Sequence, residues 1–181
     1  VSVGWAERYR SAEVATGSPM LPAGSEHFGG FLAKLDFDQF DRLYDPTHGW
    51  AAHGSYFYAA GDGYDKADLD LRAADNFGDY IVHGRIRGAG SFTGSLPFYD
   101  PVALGGFLNL SGFARNQIVG ESLMYGNVRL EKIVGRLPAG LRGDMRVGLA
   151  LEGGKVDGRY TETSLNGWQS SVTAYVGGET P

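Results

Sequence analysis

Apolar and polar residues alternate with a period of two through most of this chain. Tyr80-Ile81-Val82-His83-Gly84-Arg85-Ile86-Arg87 is one such run, and Leu141-Arg142-Gly143-Asp144-Met145-Arg146-Val147-Gly148-Leu149 is another. In the second run, Leu, Gly, Met, Val and Leu fall on one side, and Arg, Asp, Arg and Gly on the other. Successive side chains of a strand point to opposite faces, so each run predicts a strand with one oily and one charged face. A soluble sandwich keeps its polar face outside. A transmembrane barrel turns the apolar face to lipid and the charged face to its lumen.

Alternation and turn signals predict about eight strands, at roughly 1–10, 28–38, 48–58, 66–74, 79–89, 120–132, 141–152 and 168–177. Most are about 9–11 residues long, the length a tilted strand needs to cross a bilayer, against about 5–6 for strands of soluble proteins. No segment has a helical period. The first, fifth and seventh connections are long and the fourth and sixth are short. In an up-and-down sheet this gathers long loops on one side, as in outer-membrane barrels. The third connection is short although it falls on the long side, and the second carries a Pro-containing turn. The fifth, about 90–119, is the longest.

Charged residues keep to one face of each predicted strand. Lys34 and Asp36 oppose Phe31, Ala33, Leu35 and Phe37; Asp68, Asp70 and Arg72 oppose Leu69 and Leu71. His83, Arg85 and Arg87 share a face, as do Asn127, Arg129 and Glu131. On the barrel reading Leu35, Phe37, Val82, Ile86, Met145, Val147 and Leu149 meet lipid, while Arg85, Arg87, Arg142 and Arg146 point to the other side.

Composition sharpens this picture only in places. The 181 residues include 29 Gly and 13% aromatics, which suits a β-rich protein with interfacial rings. Cys is absent, which removes disulfides and thiolate metal sites. A net charge of -5 argues against nucleic acid as partner. The mean hydropathy of -0.21 has the value of a water-soluble chain, but alternation averages the two faces away. Apolar runs long enough for a transmembrane helix do not occur. Val1 opens directly into a strand-like run, as expected of a piece of something longer.

The candidate chemistry is sparse. No Ser has Gly at both positions of a Gly-x-Ser-x-Gly turn; Ser122 has Gly120 before it but Met124 after it. This chain is therefore expected to carry no hydrolase nucleophile. His27, His48, His53 and His83 lack zinc-ligand spacing, and no metal or cofactor is expected. Asp62, Asp65, Asp68 and Asp70 lack the pattern of a calcium loop and read as loop and lumen charge. The glycines near Gly88 and Gly105 do not form a dinucleotide fingerprint. Trp5, Tyr9, Trp50, Tyr56, Tyr58, Tyr80 and Trp168 fall near strand ends or on apolar faces, where a barrel places its aromatic girdles and a soluble sheet its core.

Two stretches carry a family resemblance. One is Asp41-Arg42-Leu43-Tyr44-Asp45-Pro46-Thr47-His48-Gly49-Trp50, a Pro-Thr-x-Gly turn feeding a strand. The other is Leu104-Gly105-Gly106-Phe107-Leu108-Asn109-Leu110-Ser111-Gly112-Phe113-Ala114-Arg115-Asn116, followed later by Leu151-Glu152-Gly153-Gly154-Lys155-Val156. Together they resemble the bacterial surface antigen barrel, the superfamily of outer-membrane insertases and two-partner secretion transporters. The wording looks most like the C-terminal barrel of bacterial patatin-like phospholipases of type V secretion.

The resemblance implies an all-β, antiparallel up-and-down transmembrane barrel with about eight strands present. Residues 1–181 would form one barrel domain or a fragment of one. Family barrels have about sixteen strands, an even number as bacterial barrels require. It also implies a bacterial outer-membrane location. The implied partners are lipid, the barrel-assembly machinery and an upstream passenger domain, with a homo-oligomer allowed. The family's long loop, matched here by about 90–119, folds into the lumen with an Arg-Gly-Phe/Tyr tip held by an acidic strand residue. Here Ser111 stands where that Arg would be, Gly112 and Phe113 match, and Glu152 is the implied acceptor. Ser111 or Arg115 would be the donor; Arg115, or lumen Arg129 beside Glu131, is favoured because an Arg gives a charge-assisted contact and Ser one weaker hydrogen bond, and Gly112 is the expected tight backbone position. Two other readings stay open: a stand-alone eight-stranded barrel acting as adhesin or small pore, and a soluble β-sandwich binding module.

Overall fold

A computed structural model describes residues 1–12, 24–43, 45–61, 63–136 and 144–178. Arg142, Asp62 and the predicted strand start at 141–143 lie outside the described residues. The chain is all-β and antiparallel. Its long strands are β1 (Ser2–Ala12), β2 (Gly24–Asp38), β3 (Gly49–Ala59), β4 (Asp65–Phe77) and β5 (Tyr80–Gly90), then β8 (Ser122–Arg136), β9 (Asp144–Asp157) and β10 (Gln169–Gly178). Two short strands, β6 (Val102–Leu104) and β7 (Ile118–Gly120), pair with each other inside the long connection. The only helical element among the described residues is one 3-10 turn at Thr163–Leu165.

The eight long strands form one meander in the order β1-β2-β3-β4-β5-β8-β9-β10. They coincide with the eight predicted strands, and several run longer, to 15 residues in β2 and β8. Predicted neighbours 79–89 and 120–132 pair as β5 and β8. Among the described residues β1 and β10 do not pair with each other, so they are the sheet's two edges and the strands do not close into a barrel.

The two faces of the sheet differ in kind. Outward positions are apolar and open: Leu35, Phe37, Leu69, Leu71, Ile86, Val128, Leu130, Val147, Leu149, Leu151, Val172 and Val176 are all exposed. Val82 and Met145 are half-buried at outward positions of their strands. Inward positions carry Asp70, His83, Asn127, Glu131, Arg146 and Glu152, all buried, with Arg85 and Arg87 beside them. This inverts the order of a soluble sheet, where charge belongs outside.

The apolar core lies on the inward side, at the end where the long connections gather. Residues 91–121 lay Leu96, Val102, Leu104, Leu110 and Ile118 onto Phe28, Phe57, Leu123, Tyr125 and Val156 of the sheet. Periodicity did not reveal β6 and β7, because a three-residue strand carries no alternation to read.

Candidate functional site: the loop lock and the charged inner face

The long connection is stapled to the sheet at three carboxylates. Asp65, the first residue of β4 and fully buried, accepts hydrogen bonds from Ser91 Oγ (2.8 Å), Phe92 N (3.1 Å), Thr93 N (2.9 Å) and Thr93 Oγ1. Further along, Asp100 of the loop reaches back to β4 and β1. It pairs with Lys66 Nζ at 2.8 Å, accepts from the Tyr64 hydroxyl at 3.1 Å, and lies 3.6 Å from both Arg8 and Arg10. Burial and the adjacent Asp100 carboxylate push the Tyr64 phenol well above its ordinary value. Sequence reading missed both staples, since neither Asp stands in a recognisable motif.

The third staple is Glu152 on β9. Its carboxylate accepts from Leu110 N (3.1 Å), Ser111 N (2.8 Å), the Tyr125 hydroxyl (2.6 Å) and Ser171 Oγ (2.8 Å), with Thr173 Oγ1 at 3.5 Å. Glu152 therefore does receive the loop tip, from Ser111 as one candidate donor but through its backbone N–H, and the favoured Arg donors are corrected. Arg115 is exposed on the loop, and Arg129 pairs with Glu131 at 3.6 Å. Two successive backbone N–H groups take the place of a guanidinium. Leu108 and Leu110 hold positive φ, 53° and 76°, and the tip curls so that both amides face one carboxylate. Ser111 Oγ accepts from Leu108 N at 2.8 Å and supports that curl. A left-handed Leu has no propensity signature, so this geometry was not legible beforehand.

Gly112 has a different role from the expected one. Its φ is not positive, and a Cβ there would meet Ser171 Cβ at 3.3 Å. It is small because the loop passes close to β10. Positive φ falls on Gly105 instead, at 121°, where a Cβ would strike Ala114 O at 2.1 Å. Phe113 packs against the core as expected.

Beyond the loop, toward the short turns, the inner face becomes a lattice of ion pairs. Asp70 holds Arg85 Nη2 at 2.5 Å and Arg72 Nη2 at 2.9 Å; Asp68 holds Arg87 Nη2 at 2.7 Å. Glu131 receives the Tyr175 hydroxyl at 2.5 Å and Arg146 Nη1 at 3.2 Å, and His83 Nε2 lies 3.3 Å from it. Arg146 is 2% exposed. The turn 39–48 enters the same lattice, where Asp45 reaches Arg146 Nη1 at 3.1 Å. Burial and the neighbouring Glu131 push the Asp45 carboxyl up.

Asp45, His83 and Glu131 offer ligand atoms within 4.8 Å of one another, a grouping that sequence spacing did not show. The donor set does not fit a metal ion, because Arg146 already bridges the two carboxylates as their cation. The rest of the turn is organised by Asp41. It accepts from Thr47 N (2.8 Å), Thr47 Oγ1 (2.5 Å) and His48 N (3.0 Å). Partial desolvation works against ionisation, but these bonds and nearby Arg42 outweigh it and hold the carboxyl at about 2. The Pro-Thr-x-Gly motif is thus a carboxylate-capped turn. Comparison with protein-family models and with curated proteins finds no match for this chain.

Proposed function

We propose that this chain is an outer-membrane β-barrel segment that anchors or translocates an upstream passenger, and that it belongs with the bacterial surface antigen barrels. One observation carries the reading. Among the described residues, outward positions in the middle of β2–β5 and β8–β10 bear no charged side chain, and β1 carries one outward charge, Glu7, between Trp5 and Tyr9. Other outward charges, such as Asp75 and Lys132 at one end and Lys155 and Asp157 at the other, stand in the outer rows. Aromatic rings flank the uncharged zone. Phe37, Trp50, Phe77 and Tyr80 lie toward the short turns, and Tyr9, Tyr56, Tyr58, Phe92 and Trp168 toward the long connections.

Trp50 and Tyr58 stand about 26 Å apart along β3, taking about 3.3 Å per residue. At a strand tilt of about 40° this is about 20 Å along the membrane normal, near the height of a barrel's apolar band. Lys132 Nζ lies 5.2 Å from the Tyr80 ring centroid, as a lysine placed at an interface would.

The inward loop favours a barrel larger than the strands present here. An eight-stranded barrel has an interior that side chains alone fill. Here the inward side is covered by the long connection, whose Leu96, Val102, Leu104, Leu110 and Ile118 form an apolar core with the sheet. Further strands would pair with β1 and β10 and leave room for the loop. A patatin-like phospholipase as the passenger rests on the motif resemblance, as do the assembly machinery and the bacterial outer membrane as partner and location.

Partition into liposomes tests the reading. The refolded chain should float with lipid vesicles on a density gradient and resist extraction at alkaline pH. A chain that stays monodisperse in buffer without detergent would instead favour the soluble β-sandwich.

A further inference from the structure

Two connections approach each other across the inner face from opposite ends of the sheet. Phe107 and Leu108 come from the long loop, and Phe40, Leu43 and Pro46 from the turn 39–48. Between them lies a cavity of about 310 Å³. That is near the lower bound of about 300 Å³ for sites that hold small molecules.

The wall of this cavity is chemically lopsided. Arg72, Arg85 and Arg129 line it, whereas Asp38 is the one carboxylate among its lining residues. The carboxylates that hold these guanidiniums are buried and are not among the lining residues: Asp70 against Arg72 and Arg85, and Glu131 against Arg129. Cations thus face the space while their counter-ions fix them from behind. Buried carboxylates pre-position the guanidinium forks at little further entropic cost on binding.

A further wall residue, Asn127, has a buried polar atom without a hydrogen-bond partner, its Oδ1, while His83 Nε2 faces Glu131 at 3.3 Å. A buried polar atom left unpaired is costly unless something else satisfies it. The opposite wall is apolar and open: Leu43 is 83% exposed and Phe107 65%. Exposed apolar groups facing a cationic wall suit a ligand with an oily part and a charged part.

We propose that this cavity binds an organic phosphate, a phosphate monoester carrying an apolar group, taken from the aqueous side of the sheet. Three guanidiniums match the three terminal oxygens of a monoester better than the two of a carboxylate. A membrane phospholipid headgroup has the same chemistry. The cavity, however, lies on the face opposite the apolar band, which favours a water-soluble source.

Calorimetric titration of the detergent-solubilised full chain with phenyl phosphate tests this. Saturable one-to-one binding is expected, at least tenfold tighter than for inorganic phosphate or for phenol. Arg129→Gln combined with Arg72→Gln should weaken it at least tenfold, with the far-ultraviolet circular dichroism of the sheet unchanged. Phe107→Ser should weaken phenyl phosphate but leave inorganic phosphate as it was. Dodecyl phosphate held in the micelle should not compete. Absence of saturable binding to the folded chain, affinity unmoved by the double Arg variant, or displacement by micellar dodecyl phosphate would each overturn the proposal.

Discussion

The inner face of the sheet has two halves, built from the same strands and opposite in content. On β8 and β9 alternate inward residues run from apolar at one end to charged at the other. β8 passes from Leu123 and Tyr125 through Asn127 to Arg129 and Glu131. β9 passes from Val156 through Glu152 to Arg146. The change follows what lies above. Where residues 91–121 bring Leu96, Leu104, Leu110 and Ile118, the sheet answers with Phe57, Leu123 and Val156. Where the cover withdraws and a cavity opens, the sheet answers with paired charge. The period-two pattern therefore says which side chains turn inward, while the covering segment decides whether they are oily or charged. Glu152 sits at the boundary and is charged because it receives loop amides.

Removing one charge from the lattice should have the largest effect. Arg146→Ala leaves Glu131 and Asp45 without their shared cation, in a site 2% exposed. It should destabilise the fold by about 3–5 kcal/mol, since Asp45 loses its ion pair and buried Glu131 keeps, of its ion pairs, only His83 and the longer Arg129 contact. Urea unfolding in detergent measures this. A cost near that of a surface substitution would mean that the lattice is well hydrated.

Cutting the apolar half should cost nearly as much. Leu104 is fully buried between loop and sheet, so Leu104→Ala should cost about 2–5 kcal/mol. Leu149→Ala, on the outward face of β9, should cost within about 1 kcal/mol in the same assay. Equal losses at the two sites would erase the distinction between inner core and outer face.

Glu152→Gln should have a local effect of about 2 kcal/mol, because an amide presents one oxygen to donors arranged around two. The expected outcome is faster protease cleavage within 105–118 while the strand signal in circular dichroism persists. Unchanged protection of the tip would show that the apolar contacts of Leu110 and Phe113 suffice to hold it.

The smallest expected effect is at Asp41. Its carboxyl, held at about 2 in the folded chain against 3.8 for the free group, favours the folded turn above about pH 4. That contribution fades as pH falls from about 4 toward 2, because protonation then costs the folded turn its acceptor. Asp41→Asn should flatten the pH dependence of amide exchange at Thr47 and His48 in that window. A turn equally protected at both ends of the window would show that Pro46 and Gly49 alone define it.

The strands were legible because alternation is a property of long segments, and these run to 15 residues. The loop was legible as an inward cover only through the motif resemblance. Its internal ribbon, the positive φ of Leu108 and Leu110, and the reach of Asp100 to Lys66 were not, because they depend on meetings between residues far apart in the chain. Glu152 was expected as the acceptor and Ser111 as one candidate donor, but the favoured Arg is not the donor. A missing Arg in the motif invites a search for another cation, whereas the fold uses backbone amides. Asp45 illustrates the same limit. It reads as one residue of a turn, and only the fold brings it to Arg146.

On the proposed function the outward face meets lipid and the inward face water. The chain has no Cys, so single cysteines can carry nitroxide labels at chosen sites without background. Labels at consecutive positions 68 to 72 on β4, in chain reconstituted into liposomes, test the claim directly. Labels at 69 and 71 should collide freely with oxygen and poorly with a water-soluble nickel chelate, and those at 68, 70 and 72 should do the reverse, giving an oscillation with a period of two. Nickel access at 69 and 71 equal to or above that at 68 and 70 would contradict the account.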